Sequence, residues 1–255
     1  WTVAAPLLRR YGLQAITYVH PGRVVDAGGL RPTIDSPGGA DSEADASGIP
    51  FATWPELRAL HAAGTIDIQA HTCWHAMIPC AADVTGFVTP DMPVRHPHLY
   101  PRLLTGAGER FLTPADLGAP LRLERSRYSD ALRYDDPAGF EACTRHVREH
   151  GGTAFFGRSG WEAELRRLLG AAGQGRWETP EARDAAILAD LTEAREELNR
   201  QLRTDTVRHM CFPWAIAGRA AVAVAERAGY VSAFGDRLFG GRSVRPGDSP
   251  YQLMR

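Results

Sequence analysis

Apolar and polar residues alternate along Ile66-Asp67-Ile68-Gln69-Ala70, the two-residue period of a strand with one buried face. A polar run follows where that strand ends. Ahead of it, Thr53-Trp54-Pro55-Glu56 has the Thr and Glu of a capping box with Pro at the second helical position. This predicts a helix carrying Leu57 and Leu60 and stopping at Gly64. Trp1 to Tyr11, with Leu7, Leu8 and Tyr11 at helical spacing, predicts an earlier helix that stops at Gly12. Leu13 to Val19 then predicts a strand, broken by His20-Pro21-Gly22-Arg23. Residues 26–50 are rich in Gly, Pro, Ser and Asp, the composition of a loop. Helix, strand, loop, helix, strand is the rhythm of an α/β architecture with parallel strands.

From Ala76 to about Gly139 the pattern loosens, and prolines at 79, 90, 93, 97, 101, 114, 120 and 137 are expected to forbid long regular elements. His96-Pro97-His98 reads as a surface loop, and Asp135-Asp136 as a turn ahead of a helix over 140–150. A second capping box, Ser159 to Glu162, predicts a helix through Leu165, Leu168 and Leu169, closed by Gly170. Thr179-Pro180-Glu181 opens a long amphipathic helix to about Arg203, with Ile187, Leu188, Leu191, Leu198 and Leu202 as its apolar stripe. Val207 to Trp214 and Tyr230 to Phe234 read as strands flanking a small-residue helix over 220–228. A turn-rich tail from Arg242 ends in a short apolar piece, Tyr251 to Met254.

A chain of 255 residues, 44% of them hydrophobic, is long enough to bury a full core. The formal charge of -1 argues against a nucleic-acid or anionic-membrane partner. All 29 basic residues are arginine, read here as a compositional habit. No apolar run reaches the length of a membrane span, and no signal peptide is visible ahead of Trp1-Thr2-Val3. This leaves localisation open. Cysteines at 73, 80, 143 and 211 form no CxxC pair and read as small buried residues.

Candidate chemistry gathers at His71 and His75. Two imidazoles four residues apart at a strand end are able to share a metal, or simply to bond backbone groups. Thr72 follows His71, so this is not the HExxH of zinc proteases.

Several stretches, taken together, resemble the polysaccharide deacetylases, carbohydrate esterases that remove acetyl groups from sugars. Pro6 to Ala15, with its Tyr11-Gly12, resembles the segment after that family's first motif. Asp67 to His75 resembles its second, His-Ser/Thr-x-x-His; Cys211-Phe212-Pro213-Trp214 resembles its third, and Ala225 to Phe234 the unit that follows. The resemblance covers about residues 1–75 and 205–255.

It implies a distorted (β/α) barrel of fewer than eight strands, formed by 1–75 and 179–255, with 76–178 as an insertion on the catalytic rim that restricts the site to small or short substrates. It also implies a metal-dependent hydrolase acting on an N-acetylated sugar or related small amide. His71 and His75 become ligands to a divalent metal, most simply Zn, with Co or Ni as alternatives. Pro213 and Trp214 become catalytic-rim residues, the Trp214 amide holding the oxyanion. The family's Asp-Asp motif, source of the base and a third ligand, is expected a few residues before Trp1, and the chain reads as cut at both ends. Cys211 stands where the family commonly has an Arg that holds the base, and Arg208 is taken as its substitute. No His follows His209 to serve as the late general acid. Should the chain act alone, Asp26, Asp35 or Asp67 would have to be the base. Two alternatives stay open: a non-catalytic carbohydrate-binding relative, and an amidase or imidase on a non-sugar C–N bond.

Overall fold

The computed structural model describes residues 1–37, 51–96, 99–235 and 243–254. Most of the loop read over 26–50, Pro97 and His98 of the His-Pro-His run, and Arg242 at the head of the tail lie outside them. The chain divides into two compact units, one of 1–74, 188–217 and 221–255, the other of 75–187 and 218–220.

The first unit is built on a parallel sheet. Its strands are β1 (Ala15–Val19), β2 (Ile66–Ala70), β9 (His209–Cys211), β10 (Ser232–Gly235) and β11 (Leu253–Met254), side by side in that order. All four pairings are parallel, a pairing that needs crossover connections in place of tight hairpins. Those helices are α1 (Ala4–Arg10), α2 (Trp54–Ala63), α5 (Pro180–Leu202), whose residues from Leu188 on belong here, and α6 (Arg219–Arg227). Among the described residues the sheet is open, with β1 and β11 at its edges, so the expected barrel is not seen to close.

Local chemistry sets the helix limits. Glu56 accepts from the Thr53 N–H at 2.9 Å, the reciprocal arm of the predicted capping box, and Gly64 ends α2 with φ +66°. The core lies between sheet and helices: Ile68, Ala70, Met210, Cys211, Phe212 and Ala233 are buried against Leu57, Leu60, Leu191, Leu198 and Tyr230. The Tyr230 hydroxyl, sealed in this core, donates to the Leu191 carbonyl at 2.9 Å.

One joint in this sheet is unusual. β2 and β9 share a single register pair, Ala70 with Met210. Below that pair the side chain of Gln69, 1% exposed, replaces the missing ladder. Its Oε1 accepts from the N–H groups of Arg208 (3.0 Å) and His209 (2.9 Å). Its Nε2 donates to the Thr206 carbonyl (3.1 Å) and to Asp67 (2.8 Å).

The second unit holds β3 (Met77–Phe87), β4 (Arg102–Thr105), β5 (Gly108–Phe111), β6 (Pro120–Ser126), β7 (Tyr134–Asp135) and β8 (Arg176–Trp177) as three antiparallel pairs, with α3 (Pro137–Glu149) and α4 (Trp161–Ala172). The eleven-residue β3 corrects the expectation that prolines exclude long elements here. It carries Pro79 and shifts register on either side of Val84, and in a two-stranded sheet a proline costs no bond when its nitrogen faces away from the partner. The capping box at Ser159 is also corrected: Gly160, at φ +78°, precedes α4, which runs through Gly170 to Ala172. Asp135-Asp136 does lead into a helix, since Asp136 accepts from Gly139 N–H at 2.9 Å at the head of α3. Phe87, Cys143, Val147, Phe155 and Leu165 form this unit's small core.

Candidate functional site

Parallel strands present their loops at one end, and at the carboxyl ends of β1, β2 and β9 stand His20, His71 and Phe212-Pro213-Trp214. The ladder between β1 and β2 pairs Val19 with Ala70 and continues one step, the His71 N–H donating to the Val19 carbonyl at 2.8 Å. His20 and His71 therefore leave neighbouring strands at the same level. Their ring centroids are 6.2 Å apart.

His71 is half-buried and its Nδ1 lies 2.6 Å from the Cys211 carbonyl. A carbonyl only accepts, so Nδ1 carries the proton and Nε2 keeps its lone pair for a ligand. Asp67 and Gln69, near His71 in sequence, take no part in this: they bond each other, and Gln69 bonds the start of β9.

The loop after His71 is held from two sides. Asp190 of α5 accepts from the Cys73 N–H at 2.9 Å. From β1, the Gly22 N–H donates to the Cys73 carbonyl (2.9 Å) and Arg23 Nε to the Trp74 carbonyl (3.0 Å). A Cβ on Gly22 would lie 2.6 Å from the Trp74 ring and 2.8 Å from the Cys73 carbonyl, so only glycine permits this approach.

Backbone strain concentrates in the same places. Among the described residues, non-glycine positions with positive φ are Thr72 (+63°), His75 (+53°), Arg203 (+54°), Trp214 (+52°) and Ala215 (+55°). Arg203 ends a helix; Thr72, His75 and Trp214 lie in the second- and third-motif stretches, and Ala215 directly follows the third. Such residues cost energy and persist where surrounding structure holds them, a pattern that concentrates at functional sites.

The other sequence-derived residues fall as follows. Pro213 is buried and Trp214 half-buried in a 3-10 turn, Pro213–Ala215, two residues past the carbonyl that anchors His71. His75, buried, is the first residue of the second unit. Arg208 is not brought to this end of the sheet. It precedes β9, about 10 Å along the strand from Cys211 at 3.3 Å per residue, and its Nε donates to the Asp205 carbonyl at 3.1 Å. The alternative carboxylates also lie elsewhere. Asp26 and Asp35 meet Arg58 and Arg10 at the surface, and Asp67 lines a cavity of about 490 Å³ at the amino ends of β1 and β2.

Among the described residues, no group of three or more His, Cys, Asp or Glu side chains gathers closely enough to cage a metal ion. The donors present at the strand ends are imidazoles, which suit Zn, Co and Ni alike. His20 was read from the sequence only as a strand breaker. The missed signal was that β1 and β2 each run directly into a histidine.

No protein-family model matches the chain, and no curated protein matches it in sequence. Solved structures do. The de-N-acetylase from Aggregatibacter actinomycetemcomitans superposes with a TM-score of 0.50 at 12% identity, over 98% of this chain and 62% of that one. The BpsB deacetylase domain from Bordetella bronchiseptica gives 0.52 at 15% identity, over 99% and 64%. The chain thus spans less than two thirds of either. In fold, this chain is similar to a de-N-acetylase and to a deacetylase domain.

Proposed function

We propose that this chain is the hydrolytic part of a metal-dependent deacetylase that releases acetate from an N-acetylated sugar. The observation that carries the proposal is the anchoring of His71: an imidazole at a strand end, its Nδ1–H committed to the Cys211 carbonyl, which makes Nε2 the nitrogen that carries the lone pair. The fold shared with two de-N-acetylases supports the reading.

In this reading His71, with His75 four residues on in the sequence, holds a divalent ion through neutral imidazole nitrogens. Such an ion supplies a water of lowered pKa and polarises the amide carbonyl. Pro213 fixes the backbone that enters the turn, and the Trp214 amide serves as a donor to the oxygen that gains charge. The left-handed conformation at Trp214 and Ala215 is the strain spent on that aim. The Trp214 ring lines the sugar's place.

The test is acetate release from N-acetylglucosamine oligomers. Activity should vanish with a chelator, return with Zn or Co, and be lost in His71→Ala. Chelator-insensitive release, undiminished in His71→Ala, would refute the proposal, as would the absence of release with any of the metals.

A further inference from the structure

We propose that His20 is a metal ligand, sharing one divalent cation with His71; the inference rests on the metal-dependent reading of the site above. The two side chains leave adjacent parallel strands at the same register level, their ring centroids 6.2 Å apart and their planes inclined by 56°. A Zn–N bond of about 2.0–2.1 Å puts a ring centre about 3.2 Å from the ion, so two imidazoles on one tetrahedral ion have centroids about 5.2 Å apart. The observed spacing is about 1 Å wider, a difference the two rings would close by turning about their side-chain bonds as the ion binds.

The surroundings hold both rings to this task. His71 is oriented by the Cys211 carbonyl. His20 meets the edge of Phe51, centroids 4.8 Å apart and planes at 87°, and the Phe51 carbonyl is itself held by Arg31 Nη2 at 2.9 Å. Both ring nitrogens of His20 are shielded from solvent, and His20 lines a cavity of about 370 Å³ with Tyr18, Val24 and Phe51. The Gly22 N–H bond to the Cys73 carbonyl and the Arg23 side-chain bond to the Trp74 carbonyl tie the loop after His20 to the loop after His71, which fixes the two backbones that carry the imidazoles. A histidine that only packed against Phe51 would not need its loop fastened to the neighbouring one.

The test is Zn titration of the metal-free 255-residue chain labelled with ¹⁵N-histidine. The ring nitrogens of His20 and His71 should shift together, at one equivalent of Zn. His20→Ala and His20→Gln should each weaken Zn binding at least 10- to 100-fold, the loss seen when only a ligand's supporting partner is removed, while the metal-free melting temperature shows that the variants still fold. If His71→Ala loses Zn and the His20 variants keep parental affinity, this inference falls and the metal reading stands. If His20 and His71 signals both ignore Zn, both fall. Should the His20 variants not fold, the labelled parent decides: His20 nitrogens unmoved at saturating Zn overturn the inference.

Discussion

Replacing Gln69 by Leu tests whether one side chain holds the sheet together beneath the site. The substitution keeps the volume and removes four hydrogen bonds. The Thr206 carbonyl lies in an exposed turn and regains water, and Asp67 is likewise open to solvent. The N–H groups of Arg208 and His209 face the sheet and lose their acceptor. A donor left unsatisfied inside a protein costs about 1–3 kcal/mol, so the pair amounts to roughly 2–6 kcal/mol. Against a total stability of about 5–15 kcal/mol this is a large fraction. At roughly 2–4 °C per kcal/mol for a chain of this size, the melting temperature should fall by about 4–24 °C. Thermal unfolding followed by circular dichroism measures the shift, and hydrogen exchange should show faster exchange at the Arg208 and His209 amides. A variant that melts within 1 °C of the parent, with those amides still protected, would refute the bridging role.

Two further outcomes follow from the same geometry. Ala215→Gly should stabilise the chain by about 0.5–1 kcal/mol, because a non-glycine residue pays roughly 1–2 kcal/mol in the left-handed region; a lower melting temperature would show that the φ of +55° carries no strain. Glu56 gives a pH signature. Burial alone raises its pKa, but bonds from Arg31 and from the Thr53 and Arg31 N–H groups outweigh that and hold it below the ordinary carboxylate value. A carboxylate depressed in the folded state adds stability above the unfolded-state pKa of about 4.3, and the gain is lost as pH falls through the lower, folded value. The stability gap between parent and Arg31→Met should therefore be full at pH 7 and shrink below about pH 4. A gap unchanged between pH 7 and pH 3 would contradict this.

What the sequence disclosed was governed by the range of the interactions involved. Periodicity and end signals gave the helices and strands of the first unit, since Thr53, Glu56, Gly64 and Gly229 act within a turn of the chain. The strand read over Val207 to Trp214 shrank to His209–Cys211, because Gln69, 140 positions before His209, takes the bonds a ladder would have used. The short antiparallel strands from β4 to β8 were missed. Their stability rests on cross-strand partners and on ion pairs such as Arg127–Glu178 and Arg122–Asp136, which local pattern does not encode. At the site, His71 and Pro213-Trp214 were legible as motifs. The Cys211 carbonyl that orients His71 was not, because any residue supplies a carbonyl and only the fold says which one arrives. Arg208 shares one predicted strand with Cys211, which is what makes it the candidate substitute for the Arg missing there, and strand geometry sends it to the other end of β9.

The position of β1 has a consequence for handling the protein. Among the described residues this strand pairs on one side only, with β2, and Ile16, its second residue, and Leu13, two positions before the strand begins, are more than half exposed. A cavity flanks all five of its residues. A row of backbone donors and acceptors beside exposed apolar side chains is a template onto which any extended chain adds by the pairing that holds β1 to β2. Concentrated solutions are therefore expected to associate edge to edge. A charged residue at position 16, set on the outer margin and away from every group discussed at the strand ends, is the change that would keep the molecules apart.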